Sequence, residues 1–156
     1  MRKYRTRSRT HTHLYEENGK DIKFVGVAKT IDNDLSVTDH CPGFGSCAKY
    51  ISTVVSEMAL DASCYDIKNV LIVEIMGRDT GWLTAASSLA SLSGNGPDLI
   101  YIPELPFDIN SFLKDVEEVY KKKQRCLVAV SEGIKDANGN FIMDEGAKDA
   151  FNHVQL

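Results

Sequence analysis

The sequence predicts an α/β fold, a partial doubly wound parallel sheet with flanking helices, followed by a C-terminal segment that contains a turn or hairpin. Two observations support this prediction. Short apolar runs that end abruptly in polar residues recur four times, as is typical of buried parallel strands. The segments between them carry apolar residues at spacings of three and four, which is typical of helices packed on a sheet. This alternation implies right-handed crossovers between parallel strands.

The elements are predicted in order along the chain, without internal repeats or low-complexity tracts. We predict strands at residues 21–27, 70–75, 99–102 and 126–130. We predict helices at about residues 46–63, 81–92 and 110–123. The last helix is expected to bury one apolar stripe, formed by Phe112, Leu113, Val116, Val119 and Tyr120.

Local signals set the boundaries of these elements. Pro42-Gly43 forms a turn before the first helix, which we expect to be capped near Ser46. Gly94-Asn95-Gly96-Pro97 ends the second helix, and Pro103 closes the third strand. Asn138-Gly139 predicts a tight turn or hairpin after the last strand.

Composition limits the class of protein. The chain has 156 residues, 43% of them apolar, which suits one globular domain. No apolar run approaches the roughly 18 residues that a membrane helix needs, and no signal-peptide core follows the N-terminal charges. We therefore expect a cytoplasmic protein without a membrane partner. The four cysteines form no CxxC pair, so we expect reduced thiols and no zinc site.

The N-terminal segment differs from the rest. Residues 1–13 contain several arginines and no acidic residue, whereas the whole chain carries a net charge of -4. Such a segment could contact nucleic acid or serve as a transit peptide. It has little apolar content and no helical stripe, so we expect a disordered tail and no nucleic-acid partner. The folded part is expected to span residues 14–156 and to be truncated at both ends.

The first predicted strand is followed by Lys29-Thr30-Ile31-Asp32-Asn33-Asp34. Open α/β folds bind ligands at the carboxyl ends of their strands. A cation beside two carboxylates suits phosphate and proton chemistry: Asp32 is a candidate base for an attacking hydroxyl, and Lys29 a candidate phosphate clamp. The alternative is a polar turn whose Asp and Asn residues cap or bend the chain.

Two further predicted strands end in reactive residues. Met76-Gly77-Arg78 follows the second, and Ser131-Glu132-Gly133 follows the fourth. Arg78 can form two hydrogen bonds to a phosphoryl group, and Gly77 lets the backbone approach a ligand. Glu132 is a candidate acceptor for a sugar hydroxyl. Glu104, after the third strand, could be a fourth contributor, but next to Pro103 it is interpreted more simply as a turn residue.

The spacing of the residues excludes two other ligand-binding motifs, a calcium loop and a Walker loop. Asp136-Ala137-Asn138-Gly139 has its glycine at the fourth position, whereas a calcium loop has it at the sixth. Residues 43–49 are not a Walker loop because no glycine directly precedes Lys49.

Several strings resemble motifs of the phosphofructokinase family, in the same order. They are residues 29–34, Thr38-Asp39-His40, Pro42-Gly43-Phe44-Gly45-Ser46, Met76-Gly77-Arg78, Gly81-Trp82-Leu83-Thr84 and Val130-Ser131-Glu132-Gly133-Ile134. The resemblance implies that Asp32 activates the C1 hydroxyl of fructose 6-phosphate in a glycolytic phosphotransfer and that Asp34 supports the site. It implies that the sugar phosphate is bound by Thr30, Met76, Gly77, Arg78, Glu132 and His153.

Lys29 bears on the phosphoryl donor. The sequence resembles pyrophosphate-dependent members of the family in having lysine before Thr-Ile-Asp-Asn-Asp, where many ATP users have glycine. The resemblance favours pyrophosphate, with ATP as the alternative donor. Ala28 replaces the family's usual proline. Asn152 replaces a usual glycine, so the sequence next to His153 departs from the family pattern.

The resemblance also implies Mg²⁺ and a homo-oligomer in the full-length family. Its glycine-rich phosphate and magnesium loop would precede this region, so no metal ligand is assigned within the chain. We expect an interior fragment with impaired activity. The alternative is a non-catalytic module that binds sugar phosphate or mediates a subunit contact.

Overall fold

The computed structural model describes residues 29–142, which contain a three-stranded parallel sheet. Its strands are β1 (Asn69–Ile75), β2 (Leu99–Tyr101) and β3 (Arg125–Ser131), in the order β1-β3-β2. Val70 of β1 lies opposite Cys126, and Leu99 of β2 opposite Val128. The predicted α/β class is confirmed. The predicted strand at residues 21–27 and the basic segment 1–13 lie outside the described residues.

The first helix, α1 (Phe44–Ser63), begins two residues earlier than predicted. Gly43 adopts a left-handed conformation with φ of 90°, and its carbonyl accepts a hydrogen bond from the Cys47 amide at 3.0 Å. Glycine adopts this conformation without steric strain, so the chain turns into the helix before Ser46. The predicted cap at Ser46 is therefore wrong, and the helix has no side-chain cap.

The second predicted helix is divided into α2 (Trp82–Ala86) and a 3₁₀ helix, η1 (Ser87–Ser93). The Ser87 hydroxyl donates to the Thr84 carbonyl at 2.6 Å, and the Ser93 hydroxyl donates to the Ala90 carbonyl at 2.8 Å. Such bonds to the preceding turn compete with the regular α-helical pattern. The apolar spacing predicted a helix correctly but did not reveal this tighter winding.

The third helix, α3 (Ile109–Lys123), is capped by Asp108, whose carboxylate accepts from the Ser111 amide at 2.7 Å. That hydrogen bond lowers the pKa of Asp108. The predicted buried stripe is wrong for Leu113, which is 56% exposed, while its other four members are half-buried. The reason is that α3 packs through Phe112 against Tyr101 and Phe107, which leaves its flank uncovered.

Burial differs between the strands. The central strand β3 is buried from Cys126 to Ala129, as predicted for a parallel strand. The edge strand β1 alternates instead: Val70 and Ile72 are exposed, whereas Val73 packs into the core. The prediction of a buried strand is wrong for this face of β1. Within residues 29–142, the face of β1 that carries Val70 and Ile72 is left largely uncovered.

Two small clusters form the core on the face of the sheet that carries Leu127 and Ala129. One consists of Val55, Ala90 and Leu127. The other consists of Ile75, Leu83 and Ala129 and lies near the carboxyl ends of the strands. None of the helices within residues 29–142 is long and apolar enough to span a bilayer. All four cysteines are among the described residues, and none forms a disulfide.

The predicted turn at Asn138-Gly139 is confirmed. Gly139 has a φ of 83°, and the Asp136 carboxylate accepts hydrogen bonds from the Asn138 and Asn140 amides, each at 2.8 Å. Lys135 and Phe141 then form an antiparallel bridge. These hydrogen bonds lower the pKa of Asp136.

Replacing Thr84 with valine is expected to stabilise the fold. The Thr84 side chain is fully buried, and its hydroxyl has no hydrogen-bond partner among the described residues. An unsatisfied buried polar group costs about 1–3 kcal/mol, so a methyl group of similar size should raise the free energy of unfolding by about 1 kcal/mol. Urea unfolding measures this. Thr53→Val on the exposed side of α1 is the control, and a lower stability of Thr84→Val than of wild type would contradict the prediction.

Candidate functional site

Three polar segments meet at the carboxyl edge of the sheet. The Thr80 hydroxyl donates to the Asp32 carbonyl at 2.9 Å, which joins the turn at residues 29–34 to the segment after β1. The Ser131 hydroxyl donates to the Gly77 carbonyl at 2.6 Å, which joins that segment to the end of β3. The structure therefore brings together three of the polar segments singled out in the sequence.

Asn33 fixes the shape of the turn. It is buried and adopts a left-handed φ of 60°, which asparagine tolerates better than most residues. Its side-chain oxygen accepts from the Cys41 amide at 2.8 Å, and its side-chain nitrogen donates to the Asp39 carbonyl at 3.1 Å. The Asp32 amide donates to the Thr30 hydroxyl at 3.1 Å. Asn33 thereby anchors the turn between the two aspartates.

Asp32 has the electrostatic character of a proton acceptor. Burial raises its pKa above 3.8, and the negative charges of Asp34, Glu132 and Asp79 raise it further, while Lys29 lowers it. A carboxylate with a raised pKa is a stronger base. Cys47 lies nearby, and burial, with a smaller effect of Asp32, raises the pKa of its thiol.

Glycines shape the loop after β1, which comprises residues 77–81. Gly77 has a φ of 135°, and a Cβ there would lie 2.6 Å from the Thr80 carbonyl oxygen. Its amide donates to the Glu132 carboxylate at 3.1 Å. The Gly81 amide donates to the Glu104 carboxylate at 2.7 Å. Both ends of this loop are therefore held by carboxylates from neighbouring strand ends.

The remaining predicted site residues lie around this centre. Lys29 and Asp34 are exposed, and Thr30 is half-buried beside Asp32. Met76 is 53% exposed. Arg78 is half-buried, and its guanidinium makes no hydrogen bond or ion pair within residues 29–142. His153 lies outside the described residues. The roles assigned to these side chains stay predictions.

Four residues that received no catalytic or substrate-binding role from the sequence contribute to this edge. Asn33 shapes the turn, Asp79 raises the pKa of Asp32, Thr80 bonds the Asp32 carbonyl, and Glu104 bonds the loop. Asp79 and Thr80 directly follow Arg78, so continuing the third motif by two residues would have included them. The interpretation of Glu104 as a simple turn residue overlooked its bond to Gly81.

The carboxylates of this edge do not form a magnesium site by themselves. Mg²⁺ takes carboxylate and phosphate oxygens in octahedral geometry. Between residues 29 and 142, no three His, Cys, Asp or Glu side chains converge as metal ligands. These residues alone therefore do not fit the ion, and no reaction step is derived through it.

Comparisons with known proteins identify the family of the chain. A family model described as Phosphofructokinase matches residues 6–155. The chain is 50% identical over 152 residues to the pyrophosphate–fructose 6-phosphate 1-phosphotransferase of Xanthomonas campestris pv. campestris (strain B100), a match that covers 93% of this chain and 36% of that protein. It is 38% identical over 144 residues to ATP-dependent 6-phosphofructokinase 3 of Streptomyces coelicolor, covering 92% and 40%.

A solved structure extends the comparison to the fold. The crystal structure of the pyrophosphate-dependent phosphofructokinase from Nitrosospira multiformis matches with a TM-score of 0.70 and 40% identity, covering 82% of this chain and 33% of that one. Fold and site define an α/β protein with a polar centre at the carboxyl edge of a parallel sheet. The chain belongs to the phosphofructokinase family. It spans about a third of the length of the curated relatives it matches, and the domain boundary at Leu14 stays a prediction.

Proposed function

We propose that this chain carries the sugar-phosphate side of a phosphotransferase that moves a phosphoryl group from pyrophosphate to the C1 hydroxyl of fructose 6-phosphate. The observation that carries this proposal is the position of Asp32, a partly buried carboxylate at the meeting point of three polar segments, where burial raises its pKa. The names of the similar Xanthomonas and Nitrosospira proteins support the reaction, and the Xanthomonas name also supports the substrate. Glycolysis, a cytoplasmic location, Mg²⁺ dependence and assembly into homo-oligomers belong to the same proposal.

The proposed chemistry is an in-line displacement. Asp32 accepts the proton of the C1 hydroxyl as its oxygen forms a bond to the transferred phosphorus, and the bond from phosphorus to the leaving phosphate oxygen breaks. Arg78 stabilises charge on the transferred group, and Lys29 holds the leaving phosphate. The sugar phosphate is bound by Thr30, Met76, Gly77, Arg78, Glu132 and His153. Asp34 strengthens the base because its negative charge raises the pKa of Asp32.

The donor is the finer part of the proposal. Lys29 supplies a cation for inorganic phosphate, and the similar Xanthomonas protein is named for pyrophosphate. The Streptomyces protein, which is named for ATP, keeps ATP as the alternative donor.

A coupled assay for fructose 1,6-bisphosphate tests the reaction. The chain is assayed with fructose 6-phosphate and either pyrophosphate or ATP, alone and with a complementing fragment of the Xanthomonas relative. Turnover that is faster with pyrophosphate is expected. Absence of turnover with both donors in both preparations would defeat the catalytic proposal. Calorimetric binding of fructose 6-phosphate without turnover would instead favour the binding-module alternative.

Replacing Lys29 with methionine is expected to weaken pyrophosphate binding. The change keeps the length of the side chain but removes its charge, and a hydrogen bond to a charged group contributes about 1.5–3 kcal/mol, or roughly 10- to 100-fold in affinity. Lys29→Arg keeps the charge and is the matched control. Isothermal calorimetry with pyrophosphate measures the effect, and equal affinities of wild type and Lys29→Met would contradict it.

A further inference from the structure

The loop at residues 77–81, here called the positioning loop, is joined to the turn that contains the proposed base. Its Thr80 hydroxyl donates to the main-chain carbonyl of Asp32 at 2.9 Å, across 48 positions of sequence. This bond leaves the Asp32 carboxylate unused. We propose that Thr80 is a positioning residue for Asp32 and that Glu104 holds Thr80 in place, an inference that rests on the proposed role of Asp32.

Thr80 complements the bonds on the other side of the turn. The Asp32 amide is bonded to the Thr30 hydroxyl, and the neighbouring Asn33 side chain is bonded to the Asp39–Cys41 backbone. Those bonds connect residues close in sequence. The Thr80 bond connects the turn to the sheet edge, so it fixes where Asp32 lies relative to Arg78. A displacement of about 1 Å at a reacting group lowers a rate by up to about 100-fold.

Glu104 fixes the end of the positioning loop next to Thr80. Its carboxylate accepts a hydrogen bond from the Gly81 amide at 2.7 Å. The approach is close, because a Cβ on Gly81 would lie 2.7 Å from the other Glu104 oxygen and 2.7 Å from the Ile102 Cβ. Gly81 is buried, so this amide depends on Glu104 for its hydrogen bond. Glu104 thus acts on Asp32 through Gly81 and Thr80.

The far end of the loop has a matching support. Glu132 accepts the Gly77 amide at 3.1 Å, and Ser131 donates to the Gly77 carbonyl. Lys135 lies 3.7 Å from the Asp79 carboxylate. With both ends fixed, the position of the Thr80 hydroxyl is set by the ends of β2 and β3. The hydrogen bonds that connect Glu104 to Asp32 therefore leave the Thr80 side chain little freedom to move.

The test compares Thr80→Val, which loses the hydroxyl, with Thr80→Ser, which keeps it. One net hydrogen bond contributes about 0.5–1.5 kcal/mol, so Thr80→Val is expected to lower kcat up to about 10-fold with KM for fructose 6-phosphate within about twofold. Thr80→Ser should restore kcat to within about threefold of wild type. Glu104→Ala should resemble Thr80→Val, and Glu104→Gln, which keeps an acceptor oxygen, should resemble wild type. Thr53→Val is the control for loss of a threonine hydroxyl elsewhere.

A second measurement does not require turnover. Carboxyl-detected NMR titration of the full chain follows the pKa of Asp32, which burial raises in the wild type. Loosening the turn admits water, so the pKa should fall towards 3.8 in Thr80→Val and Glu104→Ala but not in Thr80→Ser or Thr53→Val. Equal titration curves and equal kcat in Thr80→Val and Thr80→Ser would overturn the inference. If no variant turns over, the reaction proposal fails, while the titration still decides the positioning role.

Discussion

Replacing Asp32 with asparagine is expected to lower kcat by about 10²–10⁴, the usual contribution of a positioned general base. Asparagine keeps the shape of the side chain but cannot accept the proton of the C1 hydroxyl. KM for fructose 6-phosphate should change little, because the role proposed for Asp32 is realised only in the transition state. In the wild type, activity should fall as the pH drops through the raised pKa of Asp32, since only the ionised carboxylate accepts the proton. The coupled assay measures both effects.

The same substitution should increase stability. The folded state raises the pKa of Asp32 above its unfolded value, so its contribution to stability is complete below the unfolded pKa and is lost as the pH rises through the folded pKa. At pH 7 the ionised carboxylate is therefore unfavourable in the folded state, and the neutral amide avoids this. Asp32→Asn should unfold at higher urea concentration than wild type at pH 7, and the difference should vanish in acid.

Asp136 provides a control of opposite sign. Hydrogen bonds from Asn140 and Asn138 lower its pKa, so its ionised form contributes stability above the unfolded pKa. Asp136→Asn should lower stability at pH 7.

If Asp32→Asn keeps full activity, the assignment of the base is wrong. If it is also less stable than wild type at pH 7, Asp32 does not occupy the environment described.

Replacing Gly133 with alanine is expected to destabilise the fold by about 3 kcal/mol, the upper part of the usual range for overpacking. A Cβ at this position would overlap the main-chain oxygen and carbon of Arg78. Backbone cannot move aside as the end of a flexible side chain can, so the loop after β1 must separate from the end of β3. Urea unfolding measures the loss, and calorimetry with fructose 6-phosphate should show weaker binding because Arg78 is displaced.

Gly45→Ala is the matched control for Gly133→Ala. Gly45 lies in α1 with an ordinary φ, and an added methyl group there would meet nothing within 4 Å, so alanine fits. Alanine is favoured over glycine in helices by about 0.5–1 kcal/mol, and the control should therefore be slightly more stable than wild type. Similar stability of Gly133→Ala and wild type would show that the close approach to Arg78 is not required.

The sequence predicted the sheet well because its signals are local. The runs at residues 70–75, 99–102 and 126–130 are strands to within one residue at each end. The errors occur where a single backbone conformation or a single contact determines the local structure. The start of α1 depends on the left-handed Gly43, and the change to η1 depends on serine hydroxyls that bond their own helix. The exposure of Val70 and Ile72 depends on which strand lies in the centre, which an apolar pattern does not reveal.

The candidate site was predicted in outline for a similar reason. Parallel strands bring their carboxyl ends to one edge, so the meeting of Gly77 with Ser131 follows from the fold class. The Thr80 bond adds the turn at residues 29–34 to this edge. The bonds made by Thr80 and Glu104 span 48 and 23 positions, and no local pattern predicts such pairs. The sequence identified the chemically reactive residues but not the residues that hold them in place.

The strand order has a consequence for synthesis. Strand β3 lies between β1 and β2 but is the last of the three in the chain. Within the described sheet, neither earlier strand has a hydrogen-bonded neighbour until β3 has been synthesised. Asn69 at the start of β1, for example, pairs with Arg125 at the start of β3. Pairing across such long sequence separations is slow, because the chain loses loop-closure entropy before the new contacts compensate for that loss. Among the three described strands, β1 and β2 are therefore synthesised before the strand that pairs with both of them, and unpaired apolar strands of this kind are prone to aggregation.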